Sequence, residues 1–292
     1  MEAVAVVGAG LMGRRLAGVV ARAGHPVTLV EVVPEALDAG LADARAMAPE
    51  STIDGTSSVV DGVGGVDLVI EAIVEDLAIK QDLFATMGEA NPGAILCSNS
   101  SVLPITEIAE RVADGSRCAG THFWNPPDLI PIVEVVRGAR TSDDTMDRTY
   151  GFMAGIGKLP VRVEKDVPGF VGNRLQHALW REAIDLVATG VCDPETVDLV
   201  VRNTIGLRLG EMGPIENADY VGLDLTLAIH EAVLPSICRE PHASPYLREL
   251  VAKGQLGAKT GHGFLTWPDG AREQAAVRLS AHVQQQLADN AH

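Results

Sequence analysis

Acid–base chemistry is the first thing this sequence offers, through one histidine and one glutamate. His122 ends a predicted strand, Arg117–His122, and Glu134 lies within the next, Ile132–Val136. Side chains on consecutive strands can face each other across a sheet. Such a pair orients the imidazole and stabilises its protonated form, which suits a general base that removes a hydroxyl proton at neutral pH. The same spacing also fits a structural histidine capped by a neighbouring acid, so both readings stand at this point.

A second chemistry is written in glycine. The stretch Val4–Arg15 reads VAVVGAGLMGRR, an apolar run ending in Gly8-x-Gly10-x-x-Gly13. Gly8 permits a tight turn, Gly10 lets the backbone approach a pyrophosphate without a Cβ, and Gly13 lets a helix pack against its strand. The phosphates then sit on a helix N-terminus, where free N–H groups and the dipole favour negative charge. A second strand, Val27–Val30, ends in the acid Glu31 at the spacing of a ribose-binding carboxylate. No Arg or Lys follows within residues 32–43 to receive a 2′-phosphate, so the pattern predicts NAD rather than NADP.

These groups need a scaffold, and the first half alternates strands with helices as a parallel sheet with covering helices does. Helices are predicted at Leu16–Ala23, Pro34–Met47, Leu77–Met87 and Thr145–Ile156. Further strands are predicted at Asp67–Val74, apolar apart from Glu71, at Ala94–Cys97 and at Leu159–Val163. Asp166-Val167-Pro168-Gly169 punctuates the chain. Beyond it the pattern is helical, with candidates at Phe170–Ala188, Pro194–Arg202, Pro214–Ile237 and Tyr246–Lys253, and a polar, amphipathic tail at Ala271–His292 reads as a terminal helix with a frayed end. The expected architecture is therefore α/β: a dinucleotide-binding domain over residues 1–166, then an all-helical domain over 167–292.

Composition narrows the partners. With 292 residues, 47% hydrophobic and 21% charged, the chain reads as a folded protein with room for two domains. A formal net charge of −16 argues against nucleic acid and anionic membrane, since both call for a basic surface. No apolar run reaches the length of a membrane span, and no basic leader precedes the first strand, so a cytoplasmic protein is expected. Cys97, Cys118, Cys192 and Cys238 lie far apart and form no Cys-x-x-Cys, which points to neither disulfides nor a metal site.

Several blocks in order resemble the 3-hydroxyacyl-CoA dehydrogenase family and its relatives acting on L-gulonate, L-carnitine and hydroxylated pyridine acids. They are GAGLMG at 8–13, EAIVEDLAIK at 71–80, SNSSVLPIT at 98–106, HFWNPPDLIPIVEVV at 122–136, DVPGFVGNR at 166–174, GPIENADYVGLD at 213–224 and KTGHGF at 259–264. The resemblance implies a Rossmann domain followed by a helical domain that forms a homodimer. It implies NAD as cofactor, contacted by Gly8, Gly10, Leu11, Met12, Gly13, Glu31, Glu75, Lys80, Ser101 and Asn125. It also implies His122 and Glu134 as the catalytic pair, with Ser101 and Asn173 on the substrate hydroxyl.

One departure bears on the substrate. Residues 31–79 contain no lysine and only one arginine, Arg45, where family members that take CoA thioesters carry a longer, lysine-bearing arm. This favours a small free 3-hydroxy acid over an L-3-hydroxyacyl-CoA, with one of Arg14, Arg15 and Arg174 able to fork onto a substrate carboxylate and Arg14 and Arg15 equally able to serve only the pyrophosphate. Trp124 and Trp180 could wall a small pocket or serve as core packing. A non-catalytic, crystallin-like NAD-binding protein and an NAD(H)-responsive sensor are the readings from other classes, and the full set of catalytic-type residues argues against the first of them.

Overall fold

Strands that are apolar on both faces must be covered on both faces, and Val4–Val7 (β1) shows why. Val4 and Val6 enter one core with Leu16, Leu29 and Ile70, while Ala5 and Val7 enter a second with Phe84, Leu96 and Ile105. In the computed structural model, which describes residues 1–289, β1 sits between Val27–Val30 (β2) and Leu68–Glu71 (β4), with Ile53–Thr56 (β3) outside β2. Beyond β4 come Ile95–Ser98 (β5), Cys118–Phe123 (β6), Ile132–Val136 (β7) and Leu159–Val163 (β8). The full order is β3-β2-β1-β4-β5-β6-β7-β8. It reverses direction between β1 and β4, where an open α/β sheet leaves a crevice at the strands' carboxyl ends.

The sheet is not wholly parallel, contrary to the alternation's simplest reading. β6 and β7 pair antiparallel through the short loop 124–131, and β8 returns parallel to β7. β3 escapes the sequence pattern because Asp54 and Gly55 carry little strand propensity and an edge strand needs only one buried residue, Ile53.

Helices cover the sheet: Leu11–Arg22 (α1), Pro34–Met47 (α2), Val59–Val63 (α3), Leu77–Ala90 (α4), Ile105–Ile108 (α5) and Asp143–Gly155 (α6). Their starts are chemically marked. Pro34 takes the first turn of α2, Asp76 Oδ1 accepts from Ile79 N at 3.1 Å to cap α4, and Ser142 Oγ accepts from Thr145 N at 3.1 Å to cap α6. Phe84 is wholly buried beneath α4, so truncating it to alanine is expected to cost about 3–5 kcal/mol.

The chain divides into two compact units, Met1–Arg174 and the remainder from Leu175. Helix Gly172–Ala188 (α7) begins inside the first unit because its leading residues bond to groups on β7 and beyond β5. The second unit is helical: Pro194–Asn203 (α8), Ile205–Leu209 (α9), Pro214–Val221 (α10), Leu223–Val233 (α11), Pro245–Ala252 (α12) and Ala271–Asp289 (α13). The single helix expected over Pro214–Ile237 is broken at Gly222, whose φ of 105° lies outside the helical region. The frayed end expected of the tail falls on residues 290–292, outside the described residues. Among the described residues no helix is long and apolar enough to cross a membrane.

Candidate active site

At the end of β1 the backbone turns sharply, and the three glycines differ in what forces them. Gly8 has φ 102°, and a Cβ there would lie 2.7 Å from the Ala72 carbonyl oxygen. A Cβ on Gly13 would lie 1.7 Å from the Gly8 carbonyl oxygen, so α1 packs on the turn only with glycine at that position. Gly10 is the opposite case: a Cβ there meets nothing within 4 Å. Packing does not require that glycine, whereas close approach of a ligand does. α1 starts at Leu11 with no side-chain cap and no acid in its first turn, which leaves its N–H groups free for an anion. Leu11 is half exposed beside this opening, and Met12 packs onto the core. Glu31 sits at the end of β2, with Oε2 accepting from Ala9 N at 3.0 Å and Oε1 from Val33 N at 3.1 Å. A carboxylate has about four acceptor sites, so two remain for ribose hydroxyls. The open Gly10, the uncapped helix start and Glu31 together fit a dinucleotide.

His122 and Glu134 are directly opposed in the antiparallel β6–β7 register. His122 Nδ1 lies 2.7 Å from Glu134 Oε2, and both residues are 3% exposed. The other carboxylate oxygen, Oε1, accepts from Val171 N at 2.9 Å and Gly172 N at 3.1 Å. Burial opposes the Glu134 charge, but the bond from His122, those two N–H groups and the imidazole's charge outweigh it and hold the carboxyl below its ordinary range. With Nδ1 engaged, Nε2 is the ring nitrogen left for a substrate. The rings of Trp124 and Phe170 flank the imidazole at 5.3 and 5.7 Å. Phe170 adopts φ 49°, and Gly172 leaves room for Trp124, whose Cζ2 would lie 2.3 Å from a Cβ at that position.

A buried charge cluster joins β4, α4 and the turn after β5. Glu71 and Lys80 are 0% and 1% exposed, and their Oε1···Nζ distance is 2.5 Å. Lys80 Nζ also lies 3.3 Å from Glu75 Oε2. Glu75 Oε1 accepts from Ser100 Oγ at 2.5 Å, Ser101 N at 2.9 Å and Val102 N at 3.1 Å. Burial opposes this charge too, yet the Ser100 hydroxyl, the Lys80 ammonium and the two N–H groups hold the Glu75 carboxyl below its ordinary range. Ser101 in turn offers its carbonyl to Asn173 Nδ2 at 2.9 Å. The chain thus brings Glu75, Ser101 and Asn173 together. It buries Lys80 behind Glu75 and leaves Asn125 exposed in the β6–β7 loop.

Sequence reasoning left three arginines free for a substrate carboxylate, and two of them are committed elsewhere. Arg14 pairs with Asp43 at 2.8 Å and Arg15 with Asp128 at 2.7 Å. Arg174 is exposed and donates to the Pro168 carbonyl at 3.4 Å. Sequence reasoning assigned no role to Glu71, Ser98 or Asn99; the one available signal was a lone acid inside the apolar run predicted as a strand over Asp67–Val74, which ends at Glu71 in the fold. Asn99 Oδ1 accepts from Phe123 N at 2.9 Å and so ties the end of β5 to the end of β6 beside His122.

Comparison with known proteins matches residues 3–167 to the 3-hydroxyacyl-CoA dehydrogenase NAD binding domain and residues 169–267 to the C-terminal domain of the same family. The 5-formyl-3-hydroxy-2-methylpyridine 4-carboxylate 5-dehydrogenase of Mesorhizobium japonicum is 34% identical over 290 residues, covering 94% of each chain. A solved 5-formyl-3-hydroxy-2-methylpyridine 4-carboxylic acid 5-dehydrogenase, described as an NAD+ dependent dismutase, superposes with TM-score 0.90 at 31% identity, over 99% of this chain and 97% of that one. The (S)-3-hydroxybutyryl-CoA dehydrogenase PaaH1 from Ralstonia eutropha superposes with TM-score 0.76 at 31% identity, over 92% of this chain and 100% of that one.

Proposed function

This chain belongs to the 3-hydroxyacyl-CoA dehydrogenase family and is an NAD-dependent oxidoreductase of CH–OH groups; on that premise we propose that its substrate is a compact free hydroxy acid rather than a CoA thioester. The class meant is a small 3-hydroxy acid or a hydroxylated carboxylate of similar size. The observation that carries this is the segment from β2 to β4. A single helix of 14 residues, α2, leads through a short turn into β3, with no projecting arm. Its one cation, Arg45, is committed: Nε and Nη2 both donate to the Ile53 carbonyl, at 3.2 and 2.7 Å. CoA phosphates bound there would find one cation, an exposed guanidinium already tied on one edge to a backbone carbonyl, and neutralising several phosphate charges with so few donors is costly. The likeness to a pyridine-carboxylate dehydrogenase supports the same reading.

In this reading His122 Nε2 removes the proton of the substrate hydroxyl. Glu134 keeps Nδ1 protonated beforehand and faces the imidazolium afterwards. Ser101 and Asn173 hold the hydroxyl oxygen, and Trp124 and Phe170 keep water away from the ring. Gly8, Gly10, Leu11, Met12 and Gly13 receive the pyrophosphate, and Glu31 takes the adenosine ribose and repels a 2′-phosphate. Glu75 and Asn125 contact the nicotinamide half, with Lys80 acting through Glu75. When bound, NAD supplies the acceptor for the hydride that leaves the carbinol carbon. Arg174 remains a candidate partner for the substrate carboxylate.

We also propose a cytoplasmic homodimer. All four cysteines are unpaired, as suits a reducing compartment. The helices of the second unit expose large apolar residues, among them Leu207, Ile215, Tyr220 and Leu223, each more than 60% exposed, which light scattering should find covered by a second copy.

The deciding experiment follows NADH formation with L-3-hydroxybutyryl-CoA, L-3-hydroxybutyrate, L-carnitine, L-gulonate and hydroxymethylpyridine carboxylates. At least one free acid should show a higher kcat/KM than the thioester. A thioester preferred over every free acid overturns the proposal and makes this an L-3-hydroxyacyl-CoA dehydrogenase.

A further inference from the structure

We propose that Glu71 is a positioning residue for the dehydrogenase reaction, holding the turn Ser98–Val102 in place from inside the protein by way of Lys80 and Ser98. The proposal rests on the reading of Ser101 as a contact of the substrate hydroxyl. Glu71 closes β4 and is 0% exposed, so it touches no ligand. Two of its three bonds go to residues that support the site, and the third to the backbone just past β4. Oε1 accepts from Lys80 Nζ at 2.5 Å and Ile73 N at 2.7 Å, and Oε2 accepts from Ser98 Oγ at 2.7 Å.

Two routes lead from this carboxylate to Ser101. In the first, Ser98 Oγ accepts from Ser100 N at 3.1 Å, which sets the turn's entry. In the second, Lys80 is held between Glu71 and Glu75, and Glu75 Oε1 accepts the amides of Ser101 and Val102. The routes meet at Ser100, whose N–H is held by Ser98 and whose hydroxyl donates to Glu75, so Ser101 is fixed through its neighbour as well as through its own amide.

A buried carboxylate is retained only where it is paired and fully bonded, because its desolvation in an apolar strand is costly. The strand itself has no use for it. Val69 and Ile70 on either side of the sheet show that β4 packs with apolar residues, and a neutral residue at position 71 would spare Lys80 its burial as well. What the ion pair adds is direction: a buried ammonium with two carboxylate partners has one position, and Glu75 is set by it. Misplacing a reacting group's support by about 1 Å costs on the order of 10²-fold in rate.

The test uses the full-length wild type, Glu71→Gln, Ser98→Ala and, as a core control outside the network, Ile70→Val. Three quantities are measured: kcat and KM with the fastest substrate of the panel above, melting temperature, and hydrogen exchange of the Ser101 and Val102 amides. Glu71→Gln should lower kcat by roughly 10²-fold with KM changed less than about threefold, and Ser98→Ala by roughly tenfold. In both, exchange should rise at residues 101–102 and stay unchanged in β1. Ile70→Val should lower the melting temperature and leave kcat and residues 101–102 as they were. Wild-type kcat and protection in Glu71→Gln would overturn the proposal, as would loss of protection spread evenly over the first unit with kcat per folded molecule unchanged. If Glu71→Gln does not fold, Ser98→Ala decides by the same criteria. The exchange measurement needs no substrate, so it stands even if the wild type prefers the CoA thioester and the free-acid reading fails.

Discussion

Exchanging Glu134 for glutamine changes one atom and removes one charge, and the geometry around it says what must follow. The carboxylate makes three bonds with two oxygens: Oε1 accepts two backbone N–H groups, and Oε2 accepts His122 Nδ1. A glutamine amide has one oxygen to give. With its oxygen turned to His122, the NH2 group would face the Val171 and Gly172 amides, leaving two buried donors unsatisfied at roughly 1–3 kcal/mol each. With its oxygen turned to those amides, the NH2 group faces His122 Nδ1 and needs an acceptor there. The second orientation wins, and the imidazole answers by moving its proton to Nε2. That tautomer cannot take a proton from a substrate hydroxyl. Loss of a carboxylate that sets the tautomer of a catalytic histidine costs about 10⁴ in kcat in serine proteases, which corresponds to about 5 kcal/mol of barrier. Stopped-flow or steady-state NADH formation should show a loss of 10³–10⁴, or roughly 4–5 kcal/mol, while NADH affinity measured by fluorescence stays near wild type. Retention of more than a tenth of wild-type kcat at any pH from 6 to 9 would refute the argument, since no route would then run through the Nδ1–H tautomer.

Stability should fall in acid for a stated reason. Glu134 and Glu75 are both held below their ordinary value of 4.5, so below that pH the unfolded chain binds protons that the folded chain refuses. The stabilisation is complete above 4.5 and is lost as pH drops through the folded values, so melting temperature should decline below about pH 4.5, and Glu134→Gln should flatten that decline. A pH-independent melting temperature from 6 down to 3 would contradict this. The glycines separate packing from binding. Gly13→Ala places a methyl 1.7 Å from the Gly8 oxygen and should destabilise the first unit by more than about 4 kcal/mol in urea titration. Gly10→Ala meets nothing within 4 Å, so it should melt like wild type and bind NADH more weakly by at least about tenfold. Burial should also silence two thiols: Cys97, pushed up to about 12, and Cys118, pushed up to about 11, should resist a thiol reagent at pH 8 until the protein unfolds.

What could be read in advance was local. Gly8, Gly10 and Gly13 announce a turn because the backbone shape they permit belongs to a few consecutive residues. Pro34 and Pro194 announce helix starts because a residue with no N–H is tolerated in a helix only within its first turn. The β7 and β8 bounds follow from apolar runs between breakers. Gly222 was misjudged for a related reason: an isolated glycine inside an apolar helical pattern is tolerated in many helices, and only the observed φ of 105° makes it a break.

What the chain settled only by folding was pairing between distant residues. Sequence spacing put His122 and Glu134 on neighbouring strands, but it left open whether they meet. The antiparallel turn of β7 against β6 places them in register, and N–H groups from residues 171 and 172, nearly forty positions further on, aim the carboxylate. Arg14 and Arg15 looked available because a guanidinium shows no partner in one dimension; Asp43 and Asp128 claim them in three. The resemblance marked Lys80 as a cofactor contact, and the fold instead buries it against Glu71, which closes a strand nine residues earlier. Periodicity and turn chemistry are properties of neighbours along the chain, and so determined the elements and the glycine turn. Ion pairs and hydrogen bonds in the site join residues tens of positions apart, and only the packed sheet decides which of them come within 3 Å.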